Sequence, residues 1–539
     1  MNPSFISNFK NLLKIQTHWN SNFILQKIEL LKLLKQNDLP NTKLLIKYND
    51  LLLFLHTHPA NEELLRLTNS ELERIAKFLK RLPQADKIHF ENSGLPYTNL
   101  YSRLSCDLIS WLIEQQIEIN CDLISPEGTE LVELLKLTLP DIEKEFTAIC
   151  DTNESLLEVL KIRNKNLLPF ILNQCNQFNS SPLVKDFHFD KLQLIINVQT
   201  KANKYLSKTY NRLAVREIFY QPEICKKWNY NEILNKPLPK VHIPDSEWNS
   251  KIVSVSKIKL LLLQRETEPV SYMDAGSIRY YELERGISIA VFTMVPERQL
   301  PLESYVGYTL FKNGYPAAYG GAWILGNRAL FGINIFDWFR GGESGFIMAQ
   351  LLRTYRQLFS VDYFEIEPYQ YGLNNPEGIE SGAFWFYYRF GFKPLDPELS
   401  RLAKQEVDKM QKNKLYRSSK NTLLRFTESN LALNLAKYTP IAMWQIRNRI
   451  TNMLHTNYKD DRQWAKADCI KKFQTITGDT KTVSEYSDNA FIDFAFICAA
   501  YKLTDQNAYR LAAKLSELKA QDVYKYQDSL HIFLEFLRK

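Results

Sequence analysis

Leucine and isoleucine recur at three- and four-residue spacing between charges through most of the first 240 positions, as in IELLKLLKQND, NTKLLIKYNDLLLFLH, ELERIAKFLKRL and GTELVELLKLTL. That period places apolar side chains on one face of a helix. In NSELERIAKFL, Asn69 or Ser70 is placed to cap a helix, and the acids that follow suit its dipole. NSGLPY, DLISPEGTE and TLPD supply the breaks. No repeat length emerges, so residues 1–245 are expected to form an irregular helical domain rather than a solenoid. The proline-punctuated stretch KPLPKVHIPDSEW, residues 236–248, reads as a linker.

From about 250 to 400 the period changes. GISIAVFTMVP, SYVGYTLFKNG, YPAAYGGAWIL and NRALFGINIF are rich in β-branched and aromatic residues. Asn313-Gly314 and Gly326-Asn327 read as tight turns between consecutive strands. A glycine-rich stretch, FRGGES, leads into an amphipathic run from about Ser344. A strand at VDYFEIEPY and a short aromatic helix at GAFWFYYRFGF follow. After 400 the helical texture returns, in AMWQIRNRITNML, NAFIDFAFICAAYKL and YRLAAKLSELKAQ. The expected fold class is α+β: a central mixed-sheet domain over 250–400, flanked by all-α domains over 1–245 and 401–539.

Composition narrows the function classes. With 45% hydrophobic and 24% charged residues the chain is globular in type. The formal charge of +8 is interleaved with acids rather than gathered in a stripe, which gives no case for nucleic acid. The N-terminus lacks a signal-like apolar core, and no run reaches the roughly 18 apolar residues of a membrane span, so a cytoplasmic protein is expected. Seven scattered cysteines without a CxxC pair read as reduced core residues. All eight histidines and every cysteine lie outside 250–400, so neither a His-ligated metal nor a Cys-His or Ser-His nucleophile is expected there. His56 and His58, in FLHTHPA, read as exposed residues at a helix end.

FRGGES carries candidate chemistry. Gly341, Gly342 and Gly345 let the backbone approach a ligand, the first-turn N–H groups of the following helix lack acceptors, and Arg340 adds a fixed positive fork. On its own the stretch also reads as an ordinary turn with Ser344 as N-cap. No Gly-Lys-Ser/Thr follows, which disfavours a P-loop. In the next strand Tyr363, Glu365 and Glu367 alternate onto one face. Either that face is solvated, or the strand end opens into a cleft where a carboxylate of raised pKa acts as a base. Asn374, Asn375 and Glu377, in the loop that follows, are candidates for substrate contact or for turn formation.

The order strand, glycine-rich loop, helix, strand, and then Ala383-x-x-x-Tyr387-x-x-x-Gly391-Phe392 resembles the GNAT (GCN5-related N-acetyltransferase) superfamily. The family loop, R/Q-x-x-G-x-G/A, aligns with Arg340 to Gly345, with Glu343 in place of the middle glycine. Glu380 stands where the family often has Asn. The resemblance covers about 150 residues of the chain. It implies acetyl-CoA or another acyl-CoA as donor and an amine as acceptor. Arg340, Gly341, Gly342, Glu343, Ser344 and Gly345 would bind the pyrophosphate. Backbone near Gly332 to Ile335, at Ile333 and Ile335, would hold pantetheine and the thioester carbonyl. Tyr387, with Tyr388 as the fallback, would protonate the leaving thiolate, and Glu367 or Glu365 would serve as base. Direct transfer of this kind needs no protein nucleophile. Glu343 would repel a pyrophosphate unless it turns away or pairs with a base such as Arg353. The alternative is a catalytically silent GNAT-like binding or effector protein that meets protein partners through its helical domains. Aminoacyl-tRNA as donor is a third possibility, to which the modest charge lends no support.

Overall fold

Two hairpin turns organise the centre of the chain. Asn313 and Gly314 both take positive φ, 46° and 81°, as a two-residue turn between twisted strands requires. Gly326 does the same, with φ 57°, at the next hairpin. The computed structural model describes residues 3–122, 127–200, 203–224, 228–340, 343–436, 438–478 and 489–538.

A small sheet comes first in the chain: β1 (Leu100–Ser102), β2 (Ile119–Asp122) and β3 (Ile195–Val198), antiparallel in the order β1-β3-β2. The helical period that dominates residues 1–240 did not announce it, since strands of three and four residues are too short to carry a pattern.

The large sheet has eight strands: β4 (Arg279–Glu282), β5 (Ile287–Thr293), β6 (Ser304–Lys312), β7 (Tyr315–Leu325), β8 (Arg328–Ile335), β9 (Tyr363–Ile366), β10 (Lys393–Pro394) and β11 (Leu431–Asn434). Their order is β10-β11-β9-β8-β7-β6-β5-β4. Neighbours pair antiparallel except β8 with β9, which are parallel. A parallel pair needs a crossover, and helix α2 (Ser344–Phe359) supplies it. β11 lies beyond residue 400 yet sits between β9 and β10, so the sheet draws a strand from a stretch that reads as helical.

All seven residues of β5 are buried, because both faces of the sheet are covered. On one face lies α1 (Ser246–Leu262), whose Ser256 receives a hydrogen bond from Thr309 at 2.9 Å. On the other lie α2, whose Tyr355 hydroxyl donates to the Val306 carbonyl at 2.7 Å, and the C-terminal helix Val523–Phe536. Phe359 of α2 stacks on Tyr524 of that last helix. One buried cluster runs from Phe5 through the N-terminal helices and on into the sheet, a second joins residues between Leu100 and Leu206 to Leu261, and a third gathers the C-terminal helices around Leu325. The fold is α+β, with helices at both ends and a mixed sheet between.

Two details differ from expectation. The helix Glu62–Arg81 runs straight through Asn69 and Ser70; its cap is Asn61, which accepts from the Leu64 amide. His56 and His58 are buried, because nearly the whole of the helix Leu44–Thr57 is. His56 Nε2 accepts from Arg212 at 3.1 Å, with Nδ1 facing Thr68, and His58 stacks on Phe54. Six of the seven cysteines are buried; Cys225 lies outside the described residues. Among the described residues no helix is long and apolar enough to cross a membrane.

Candidate functional site

β8 and β9 share only three residue pairs, Arg328 with Tyr363, Ala329 with Phe364 and Leu330 with Glu365. Beyond them β8 continues to Ile335. The chain leaves β9 at Ile366 and curls into a 3-10 turn, Pro368–Tyr371. The two strands therefore part, and a cavity of about 810 Å³ opens along the freed edge of β8. Ile333, Asn334 and Ile335 form its strand wall, Arg340 and Ser344 its loop wall, and Gln370, Asn374, Asn375 and Glu377 the wall after β9. Helix α3 (Ala383–Arg389) closes it with Ala383, Phe386 and Tyr387.

Gln370 sits in the gap between the strands. Its Oε1 accepts from the Ile333 backbone N–H and from the Tyr387 hydroxyl, each at 3.4 Å, long enough to be weak and replaceable. Tyr387 is 3% exposed, and burial pushes its pKa up, so the phenol stays protonated and acts as a donor. Tyr388, the fallback acid, instead lies beneath the Lys393 ammonium at 3.5 Å and does not line the cavity.

The loop residues divide into three groups. Arg340 faces the cavity, paired with Asp337 at 3.2 Å and with Glu377, and its Nε donates to the Ile335 carbonyl. Glu343 turns inward. It is 3% exposed and held by Arg285 at 2.5 Å and Lys312 at 3.5 Å, so the base beside it is not Arg353. Arg353 is spent on Glu284 and on the Lys236 and Pro237 carbonyls. Burial brings the Lys312 pKa down to about 8, with Glu343 opposing and Arg285 reinforcing the shift. Glu343, not Ser344, occupies the N-cap of α2, and its side chain makes no cap bond. Gly345 lies in the first helical turn without positive φ; an added Cβ would meet the Phe390 and Trp228 rings at an ordinary 3.7 Å. Gly341 and Gly342 lie outside the described residues.

Neither proposed base reaches the cavity. Glu365 is buried at the closed end of the β8–β9 pair, where it pairs with Arg328 and accepts from Asn430 Nδ2 at 2.6 Å. Glu367 is exposed at the mouth of the 3-10 turn, because β9 ends one residue before it and the alternation stops there. The residue that does occupy the gap, Gln370, stands three positions further on. Only the expectation that the chain turns after β9 would have picked it out. Arg265 and Glu266, from the loop after α1, also line the cavity and gave no signal in the sequence. Glu266 is engaged by Ser105 and Ser271.

Together these groups offer an anion a helix N-terminus and a guanidinium, offer a carbonyl a strand amide, and offer a leaving group a neutral phenol. Among the described residues no group of three or more His, Cys, Asp or Glu side chains could hold a metal. No family model, no curated protein and no solved structure matches this chain.

Proposed function

We propose that the chain is an acyl-CoA-dependent N-acyltransferase of the GNAT type, with acetyl-CoA or another acyl-CoA as donor and an amine as acceptor. One observation carries the reading. The parallel pair β8–β9 opens after three residue pairs, and the N-terminus of its own crossover helix, Arg340 and the Tyr387 phenol all face the cavity in that opening. A pyrophosphate placed at the start of α2 would meet the first-turn end of that helix, where the dipole favours an anion, and Arg340. The pantetheine arm would run along Ile333 and Ile335, taking the Ile333 N–H from Gln370.

Chemistry follows from the groups present. A neutral amine attacks the thioester carbonyl, a C–N bond forms, and the C–S bond breaks. Tyr387 gives its proton to the departing thiolate. Both carboxylates of the lining, Glu266 and Glu377, are already engaged, so the proton of the amine leaves through water. Glu343 is no obstacle, since its charge is directed into the core and matched there.

Calorimetric titration with acetyl-CoA tests the proposal. Saturable binding that weakens in Arg340→Ala is expected, and folded protein that binds no CoA would overturn it. Among the described residues the cavity holds no unengaged carboxylate, which favours a second reading, a silent GNAT-like protein that binds a ligand or partner without turnover. Transfer of an acetyl group to any of a panel of amines, lost in Tyr387→Phe, would remove that reading.

A further inference from the structure

Helix α3 has a second side. Ala383, Phe386 and Tyr387 face the cavity described above, while Trp385, about half a turn away, lines another of about 840 Å³. The two share a wall, with Asn374, Asn375, Pro376 and Ser381 in both linings. The second cavity is within the roughly 300–1,000 Å³ typical of ligand sites, and its lining is mostly apolar. Its far wall comes from the hairpin of helices Pro397–Lys412 and Lys420–Phe426, through Met410, Leu423 and Leu424.

Three observations describe what would fit. First, the stretch 409–425 that builds this wall carries six Lys and Arg residues, of which Lys409 is taken up by the buried Glu406 at 2.8 Å. Two of them, Arg417 and Lys420, stand at the cavity itself against one acid, Glu380. Arg417 is exposed and donates from Nη1 to the carbonyls of Lys414 and Tyr416, bonds that bring no counter-charge. Second, the indole N–H of Trp385 is buried and has no acceptor. Because that atom is closed to water, Trp385 presents ring surface to the cavity and keeps its polar edge behind the wall. Third, apolar side chains stay unburied around this face, with Leu415 88% exposed and Leu424 41% exposed.

We propose that this second cavity binds an anionic amphiphile of the fatty-acid type. Its chain lies among Ile379, Trp385, Leu423 and Leu424, and its carboxylate meets Arg417 and Lys420. Neither a short anion nor an uncharged hydrocarbon uses both halves of the lining. A cationic amphiphile would meet the wrong charge. Binding here does not depend on the acyltransferase reading, since none of these residues belongs to the Tyr387 site.

The test is calorimetry on the full chain without CoA, using decanoate, acetate and decyltrimethylammonium below their micelle concentrations. Saturable binding of one decanoate per chain is expected, with no binding of acetate and at least tenfold weaker binding of the cationic amphiphile. Leu424→Arg and the double variant Arg417→Glu/Lys420→Glu should each weaken decanoate at least tenfold at unchanged melting temperature, because all three side chains are exposed. Trp385→Phe should weaken it several-fold. No decanoate binding, equal binding of both charges, or variants that bind as wild type would overturn the proposal. So would phosphatidylglycerol vesicles that bind wild type and Leu424→Arg alike while decanoate does not bind, which would move the basic stretch's partner to a bilayer surface. Because CoA is absent throughout, failure here leaves the acetyl-CoA titration to stand or fall by itself.

Discussion

The Tyr387 hydroxyl and the Gln370 side-chain oxygen lie 3.4 Å apart, and that same oxygen faces the Ile333 amide at an equal distance. A phenol held neutral by burial and a strand N–H thus aim at one point, which a side-chain carbonyl occupies. The arrangement suits a thioester, whose carbonyl needs the amide and whose sulfur needs the proton. Tyr387→Phe should therefore lower kcat roughly 10²- to 10⁴-fold, the usual contribution of a positioned general acid, and leave the Kd for CoA within a factor of a few. Equal loss in binding and turnover would show that the hydroxyl shapes the cavity instead.

Arg340→Ala should raise the Kd for CoA about tenfold or more, the worth of one or two charge-assisted hydrogen bonds. Its ion pairs with Asp337 and Glu377 are partly exposed and contribute little to folding. The melting temperature should stay unchanged, and a scan beside the titration checks both.

Glu343→Gly would bring the loop closer to the family pattern, yet it should damage the protein. The substitution strands Arg285 and Lys312 beneath α2 without a counter-charge. Breaking a buried pair in this way typically costs about 3–5 kcal/mol. Urea denaturation should show a drop of that order in unfolding free energy, and Glu343→Asp should recover part of it.

Acid should weaken the fold through His56. Burial, reinforced by Arg212, lowers its pKa from 6.5 to about 3. The unfolded chain takes up a proton near pH 6.5 and the folded chain only near pH 3, so stability declines as pH falls through that window and the decline ends below it. The loss amounts to a few kcal/mol. His58, also driven down by burial, acts in the same direction. In His56→Gln the slope of unfolding free energy against pH between 6.5 and 4 should flatten measurably; an unchanged slope would assign the acid sensitivity elsewhere.

Much of the central architecture is legible in the sequence, because hairpin turns and strand composition are local signals. Asn313-Gly314 fixes one turn through its own φ preferences, and the run after Ser344 shows its helical face directly. What escaped depends on partners far away in the chain. Glu343 looks like a misplaced charge until Arg285 and Lys312 come beneath it. Glu365 looks like a free acid until Arg328, on the parallel neighbour, pairs with it. β11 reads as a gap between helices because four residues carry no period, and only the edge of β9 makes them a strand. The same holds for His56: a histidine at a helix end looks solvated until its helix is seen to be buried all the way from Leu51 to Thr57.

The parting of β8 from β9 has a consequence for self-association. From Phe331 to Ile335 the strand presents an edge in the interior of a sheet, and an unpaired edge is a template for a strand from another molecule. Two side chains stand on that edge: Gln370 against the Ile333 N–H, and Arg340 against the Ile335 carbonyl. They occupy two of the backbone groups that an intruding strand would need, Arg340 by a bond of ordinary length, 3.2 Å, and Gln370 by a longer one, 3.4 Å. The opening between the two strands is thereby guarded against a neighbouring copy of the chain.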